Sequence, residues 1–496
     1  MKTNLPGLDA RANGGPSLLM DLRPCYDGFA GIPQETRLLF AMFSGLTLSR
    51  FAGLASGTHY TSRRAKATTP YERVLRQTQL LISQDTRRQR FGPVVRALPA
   101  AVRRRVFKPY LVLTEFWRRE RLDLKIDSEL FEDFLWTKLF DRTLGADDRP
   151  LIQRAEYFAT ELGHEYARSL SLLPRFAQRR IDSAGWDVFF GATVSPYRLA
   201  PGTAMMVRYY DALPLLSPHT VGEPWPHALS HGRMLQRNLE DGANLYCDSE
   251  PVREDVLRLF PEAESRVHTI PVTVAPDYHP DVRPEHELRQ ILARRTSQVT
   301  AKDRKQGEPV VLPRLFMAVA TLEPRKNYLK LFHAFEMAQR MTQTPIQLLI
   351  VANPGWRSED EVAELRRLVG EGTYHLSGVP LPELRILYSM AHCVVAPSRA
   401  EGFDYSGVEG MACGTPVLAS DIPVHRWVYS DAADYVDAYD ENAMARAITA
   451  IAELPRDEGH LAEMRDRGFR QAALYRPEAL APRWEAAIQA IAPKTV

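Results

Sequence analysis

Two stretches in the second half of the chain carry side chains whose types and spacing suit one kind of chemistry. The first, Thr321-Leu-Glu-Pro-Arg-Lys-Asn327, sets a guanidinium beside an ammonium at Arg325 and Lys326. It follows an apolar run expected as a strand, Leu315–Ala320, and precedes a helix face marked by Leu329, Phe332, Phe335 and Ala338. A helix N-terminus gathers unpaired backbone N–H groups and the positive end of the helix dipole. Two cations at the same place make a diphosphate site. An exposed basic turn is the plainer reading of an Arg-Lys pair taken alone.

The second stretch runs from Ser398 to Glu409, between an expected strand His392–Ala396 and a helix through Met411. Gly402 and Gly407 leave room for backbone amides to approach a ligand. Glu401 and Glu409 stand eight apart, one expected at the strand end and one in the first helical turn. Two carboxylates at opposite ends of a ligand loop suit two clusters of hydroxyls, such as a sugar and a ribose. The alternative makes Glu409 a complement to the helix dipole and Glu401 a surface charge.

Both loops fall where open parallel sheets bind ligands, beyond the carboxyl ends of strands. The unit that holds them begins near Leu312. Ile346–Ala352 reads as a strand covered on both faces, Val362, Leu365 and Val369 as a helix stripe, and Val417–Ser420 as a strand. A last helix, from about Pro477 to Ile491, is expected to bury Leu480, Trp484, Ile488 and Ile491. An earlier unit opens with a strand at Ser17–Leu22, a loop with Gly28 and Gly31, and a helix from about Gln34 to Met42. It resumes with strands near Val188–Phe190, Met205–Tyr210, Ala243–Cys247 and Arg266–Val274, and a helix with Ser249 as its N-cap. Between these parts, residues 58–173 lose the rhythm. Apolar positions at Leu130, Phe134, Leu135 and Leu139 read there as helices inserted into the first unit. The expected organisation is α/β, with a first domain over 1–280, a linker with a short helix over 281–311, a second domain over 312–476 and a returning helix over 477–496.

Composition bounds the function. The chain has 496 residues, 45% hydrophobic and 25% charged, an ordinary globular balance that excludes a disordered or collagen-like chain. The net charge of +2 hides a local excess: residues 50–125 hold 18 Lys/Arg against 5 Asp/Glu. Arg63-Arg64, Arg87-Arg88, Arg103-Arg104-Arg105 and Arg118-Arg119 are interleaved there with Phe107, Tyr110, Leu111, Phe116 and Trp117. An anionic membrane surface is the favoured partner for that segment, ahead of a solvated face and of nucleic acid. Cys25, Cys247, Cys393 and Cys413 are widely spaced, as free thiols of a reducing compartment would be. No run approaches a membrane span, and Asp9 and Arg11 interrupt any signal-peptide core. A cytoplasmic protein, peripheral on the inner membrane face, is expected.

The two loops, in this order, resemble the donor domain of the family 4 glycosyltransferases, which have the GT-B fold of two Rossmann-like domains facing across a cleft. The matching stretches are Val319–Asn327 and Glu401–Asp421, the latter similar to the family's Glu-x7-Glu motif with its Gly-Thr-Pro-Val continuation. Asp431–Asp440 looks like the next family segment. Asp21–Pro24 with Gly31-Ile32, and Asp211–Leu215 with Ser249-Glu250, look more weakly like the acceptor domain. The resemblance implies a retaining hexosyltransferase using a nucleoside-diphosphate sugar, with GDP-mannose as the expected donor, a lipid-linked or polysaccharide acceptor in bacterial surface-glycan synthesis, and no metal. By position, Arg325 and Lys326 would hold the diphosphate and Glu401 the transferred sugar. The Gly402 and Phe403 amides would meet sugar hydroxyls, and Glu409 would bind the ribose. Thr321, Ser406, Gly407, Gly31, Tyr210 and Asp211 would line the same cleft.

Two positions depart from the family pattern. Asp404 stands where a Gly is usual, and Tyr210-Asp211 where a His-Asp pair is common. The first bears on the donor sugar accepted; the second removes a histidine from the cleft. A nucleotide-sugar epimerase of the same fold and a catalytically dead binding module are the rival expectations.

Overall fold

The computed structural model of the chain describes residues 14–56, 69–84, 124–160, 164–175, 178, 180–220, 224–295, 313–370 and 372–493. Eight strands form the first sheet: β1 Ser17–Asp21, β2 Arg50–Ser56, β3 Leu124–Ile126, β4 Glu156–Thr160, β5 Val188–Gly191, β6 Ala204–Tyr209, β7 Asn244–Cys247 and β8 Val267–Thr269. Their order is β3-β4-β2-β1-β5-β6-β7-β8, and every neighbouring pair is parallel except β3 with β4. The second sheet has six strands: β9 Arg314–Val319, β10 Ile346–Val351, β11 Thr373–Leu376, β12 Cys393–Ala396, β13 Val417–Ser420 and β14 Ala433–Val436. It is wholly parallel, in the order β11-β10-β9-β12-β13-β14.

Both sheets are doubly wound. The chain starts in the middle, winds outward, then crosses back to wind the other way. A crevice opens where it reverses, between β1 and β5 and between β9 and β12. Near-continuous apolar strands follow from helices on both faces. In β10, Leu349 packs into one core layer and Leu348 and Ile350 into the layer on the other face.

The region read as inserted helices does hold helices, among them Pro70–Gln84, Arg149–Gln153 and His164–Leu170, but it also holds two strands of the first sheet. β4 is a strand of the parallel sheet, β3 pairs with it antiparallel, and β2 precedes both. Leu130 is 56% exposed rather than part of an apolar stripe, whereas Leu135 and Leu139 are buried. The Arg clusters and aromatic residues between Arg63 and Arg119 named above lie outside the described residues. The expected strand Arg266–Val274 is regular only over Val267–Thr269, after which the chain leads toward the second sheet. The linker contains a helix at Glu285–Arg295.

The two units are joined at the hinge and again by the last helix, Pro477–Ile491. Val274 N–H donates to the Tyr475 carbonyl at 2.9 Å, and Arg476 donates to the Ala275 carbonyl at 2.6 Å. Beyond this crossing, Trp484 is fully buried among first-unit aromatics, its ring 5.6 Å from Phe43, 5.6 Å from Phe190 and 5.4 Å from Tyr246. The chain's end thus closes the first unit's core. Trp484→Ala is expected to cost about 3–5 kcal/mol, read as a lower midpoint in thermal unfolding; an unshifted midpoint would count against this packing.

Candidate active site

The loops after β9 and β12 flank the reversal point of the second sheet. Pro324–Lys326 forms a single tight turn, and Asn327, held at φ 63°, starts the helix Tyr328–Met341. The Arg399 N–H donates to the Arg325 carbonyl at 2.8 Å, so the two loops share a backbone hydrogen bond. Asn327 adds a side-chain tie. Its amide donates to the carbonyls of Pro397 (3.0 Å) and Ala438 (2.7 Å), and its oxygen accepts from Arg399 Nε at 2.9 Å. Asn tolerates the left-handed backbone better than most residues and also supplies both donor and acceptor. Its positioning role was missed in the sequence because its partners lie far along the chain.

Arg325 and Lys326 converge on one carboxylate. Arg325 Nη1 is 2.6 Å from Glu401 Oε2, and Lys326 Nζ bonds Glu401 Oε1. Arg325 Nε also reaches Glu323 at 3.0 Å. Burial alone would raise the Glu401 carboxyl, but the two cations outweigh it and hold the group below its ordinary range. Glu401 is therefore an ionised carboxylate, not the surface charge of the plainer reading.

The first unit meets this loop directly. A Cβ on Gly402 would stand 1.8 Å from the Tyr210 carbonyl oxygen, so only glycine allows the contact. Ser249 Oγ donates to the Gly402 carbonyl at 2.7 Å. Ser249 starts the helix Glu250–Leu259 but makes no side-chain cap, because its hydroxyl is spent on this inter-unit bond. Asp211 faces Arg325 from the first unit, and burial raises its carboxyl against that attraction. Tyr210, Asp211, Arg325, Lys326, Glu401, Gly402, Phe403, Asp404 and Ser406 therefore gather at one place.

The other expected site residues sit differently. Gly407 makes room for a side chain rather than a ligand: a Cβ there would lie 2.3 Å from Tyr429 Oη. Thr321 is exposed at the start of its loop. Gly31, at φ 68°, begins the helix Ile32–Ser44 with open space around it. Glu409 lies fifth in the helix Tyr405–Ala412, past the first turn, and is 5% exposed. It accepts from Tyr388 Oη at 3.0 Å and from Gln34 Nε2 of the first unit at 3.3 Å.

Two buried arginines fix the first unit's side of the cleft, and neither was foreseen in the sequence. Arg37 donates to the carbonyls of Cys25 (2.7 Å) and Gly28 (3.0 Å) in the glycine loop, and to Leu139 O at 2.6 Å. Arg208 pairs with Glu35 at 2.7 Å, both fully buried, and donates to the Ile270, Tyr246 and Cys247 carbonyls. Together they hold the first helix and its loop against the ends of the strands.

With this geometry established, likeness to known proteins can be placed. Residues 299–471, which hold all six strands of the second sheet, match the family described as "Glycosyl transferases group 1". The O-antigen chain mannosyltransferase RfbU of Salmonella typhimurium is 35% identical over 145 residues, 28% of this chain and 39% of that protein. The O-antigen chain mannosyltransferase B of Escherichia coli is 28% identical over 221 residues, 44% of this chain and 53% of that protein. The chain thus spans about half or less of the length of these relatives. Among solved structures, sucrose-phosphate synthase from Thermosynechococcus elongatus matches with TM-score 0.54 at 17% identity, over 96% of this chain and 99% of that one. A glycosyltransferase from Rickettsia africae matches with TM-score 0.51 at 10% identity, over 97% and 100%. Two doubly wound sheets whose strand-end loops meet across a crevice are the GT-B fold.

Burial lifts the Glu409 carboxyl to about 7, against the hydrogen bonds from Gln34, Tyr388 and Tyr278 that favour its ionised form. A carboxyl raised on folding contributes stability that is full below its unfolded value near 4.5 and is lost as pH rises through 7. The linkage amounts to about 3 kcal/mol at most. Glu409→Gln keeps a hydrogen-bonding group without the ionisation. It is expected to flatten the fall in unfolding midpoint between pH 5 and 8, as followed by thermal melts; an unchanged slope would remove Glu409 as its source.

Proposed function

We propose that this protein is a retaining glycosyltransferase moving a hexose, taken as mannose, from a nucleoside-diphosphate donor to a lipid-linked or polysaccharide acceptor of a bacterial surface glycan. The observation that carries this reading is the convergence of Arg325 and Lys326 on Glu401 at the reversal point of the second sheet. The names of the two mannosyltransferase relatives favour mannose as the sugar, and GDP-mannose is taken as its donor.

In this reading the donor diphosphate competes with Glu401 for the two cations. As the anomeric carbon–oxygen bond breaks, its electron pair moves to the diphosphate; the acceptor hydroxyl oxygen bonds the carbon and passes its proton to an oxygen of the departing diphosphate. Negative charge grows beside Arg325 and Lys326, so these fixed cations bind the transition state more strongly than the ground state. Glu401, released from part of its pairing, faces the sugar hydroxyls together with the Gly402 and Phe403 amides. Glu409 exchanges its contact with Gln34 for the ribose hydroxyls. Two cations supply the charge stabilisation, and no metal is part of the reading.

Arg325→Ala and Lys326→Ala are each expected to lower turnover of GDP-mannose about tenfold or more, a lost charge-assisted bond being worth about 1.5–3 kcal/mol. Folding would be checked by thermal melt. Unchanged turnover in both would overturn the diphosphate assignment.

The acceptor's setting follows from charge. Among the described residues no helix is long and apolar enough to cross a membrane. The excess of Lys and Arg over residues 50–125, worth about 1 kcal/mol each near anionic lipid, would hold the enzyme to the inner membrane face. Vesicles containing phosphatidylglycerol should float the protein at low salt and release it as salt rises. Failure to float at low salt would overturn the docking.

A further inference from the structure

Behind the two loops lies a buried polar pair, Asp404 and His425, 5% and 0% exposed. One Asp404 oxygen accepts from Ser406 N–H at 3.1 Å and Ser406 Oγ at 2.7 Å, capping the helix Tyr405–Ala412. The other lies 3.3 Å from His425 Nε2. His425 Nδ1 is 2.9 Å from the Ser420 carbonyl and 3.0 Å from Ser420 Oγ. That hydroxyl's hydrogen is given to the Ser398 carbonyl, so both Ser420 oxygens accept. Nδ1 therefore carries a hydrogen. Nε2 stands against the second Asp404 oxygen, so the ring is wedged between Ser420 and that carboxylate. Burial pushes the Asp404 carboxyl upward, but His425, then Lys326, outweigh it and keep the group ionised.

Asp404 and Ser406, with Lys326, Tyr328 and Ser398, line a cavity of about 10 Å³ at the ends of β9 and β12. That is room for one water-sized group: a hydroxyl fits, and a sugar ring does not. A helix N-terminus ordinarily favours a phosphate. Here a fixed carboxylate already occupies it, so a second anion is repelled while a hydroxyl donor is welcomed. We propose that Asp404, positioned by His425, accepts a hydroxyl of the transferred sugar and so selects donors bearing a hydroxyl at that ring position. The inference rests on the transferase reading above and adds to it a specificity-determining residue, Asp404, and a positioning residue, His425.

Calorimetric titration with GDP and with GDP-mannose tests it, because the ratio of the two affinities isolates the sugar's contribution. Asp404→Asn is expected to leave GDP affinity within about twofold while GDP-mannose affinity falls about tenfold. Asp404→Ser, which retains a good helix cap, should do the same and guards against a folding defect. His425→Gln should lower the ratio in the same direction, by about threefold or more. Equal weakening of both ligands, or an unchanged ratio in all three variants, would overturn the Asp404 proposal alone. A wild-type chain that binds no nucleoside diphosphate, across a panel of GDP, UDP and dTDP, would overturn the transferase reading and the proposal with it.

Discussion

The site depends on one carboxylate shared by two cations. Glu401 joins the loop after β12 to the turn after β9, and it is almost wholly removed from water. Desolvating three charges is costly, and attraction offsets that cost only when geometry is fixed and other hydrogen bonds are satisfied. The fixing is visible around it: the backbone bond between Arg399 and Arg325, the Asn327 side chain across three loops, and Glu323 on the far side of Arg325. Without that frame the triad would be a surface ion pair of small worth. With it, two cations stay aimed at the crevice.

The first unit carries a matching frame. Glu35 and Arg208 form a fully buried pair beneath the crevice, and Arg37 satisfies the carbonyls of the glycine loop. A guanidinium suits both places because its planar fork serves several acceptors at once. Arg208 alone reaches three carbonyls from the strand ends around it. Charge buried on both sides of the crevice thus acts as scaffold for the loops above it.

Much of this was legible in the sequence, and the physical reason is contiguity. The loops after β9 and β12 are each continuous, start after apolar strands and lead into helices, so composition and period locate them. β2 and β4 escaped because each is mixed in character. Arg50-Phe-Ala-Gly-Leu-Ala-Ser56 contains Gly53, which weakens a strand signal, yet a Cβ at Gly53 would stand 2.3 Å from Leu22 Cδ1. There the glycine is demanded by packing, a fact held by Leu22 and not by Gly53's neighbours. Gly407 likewise leaves room that a distant side chain, Tyr429, fills. Arg208, Arg37 and His425 could not be read at all, since charged and polar side chains default to the surface and their partners are distant in the chain.

Contact between the units has a further consequence for any ligand that enters. Gly402 lies against the Tyr210 carbonyl, Ser249 bonds the Gly402 carbonyl, and Gln34 bonds Glu409. All three contacts cross the crevice, and all three involve the segment between Glu401 and Glu409. A sugar nucleotide seated on that segment has to displace or rearrange some of them. The covalent crossing at Val274–Tyr278 and Tyr475–Arg476 lies behind the crevice, with Arg476 bonded to the Ala275 carbonyl. Each of the hydrogen bonds across the crevice is worth about 1 kcal/mol net, little enough for a charged donor to trade for contacts of its own.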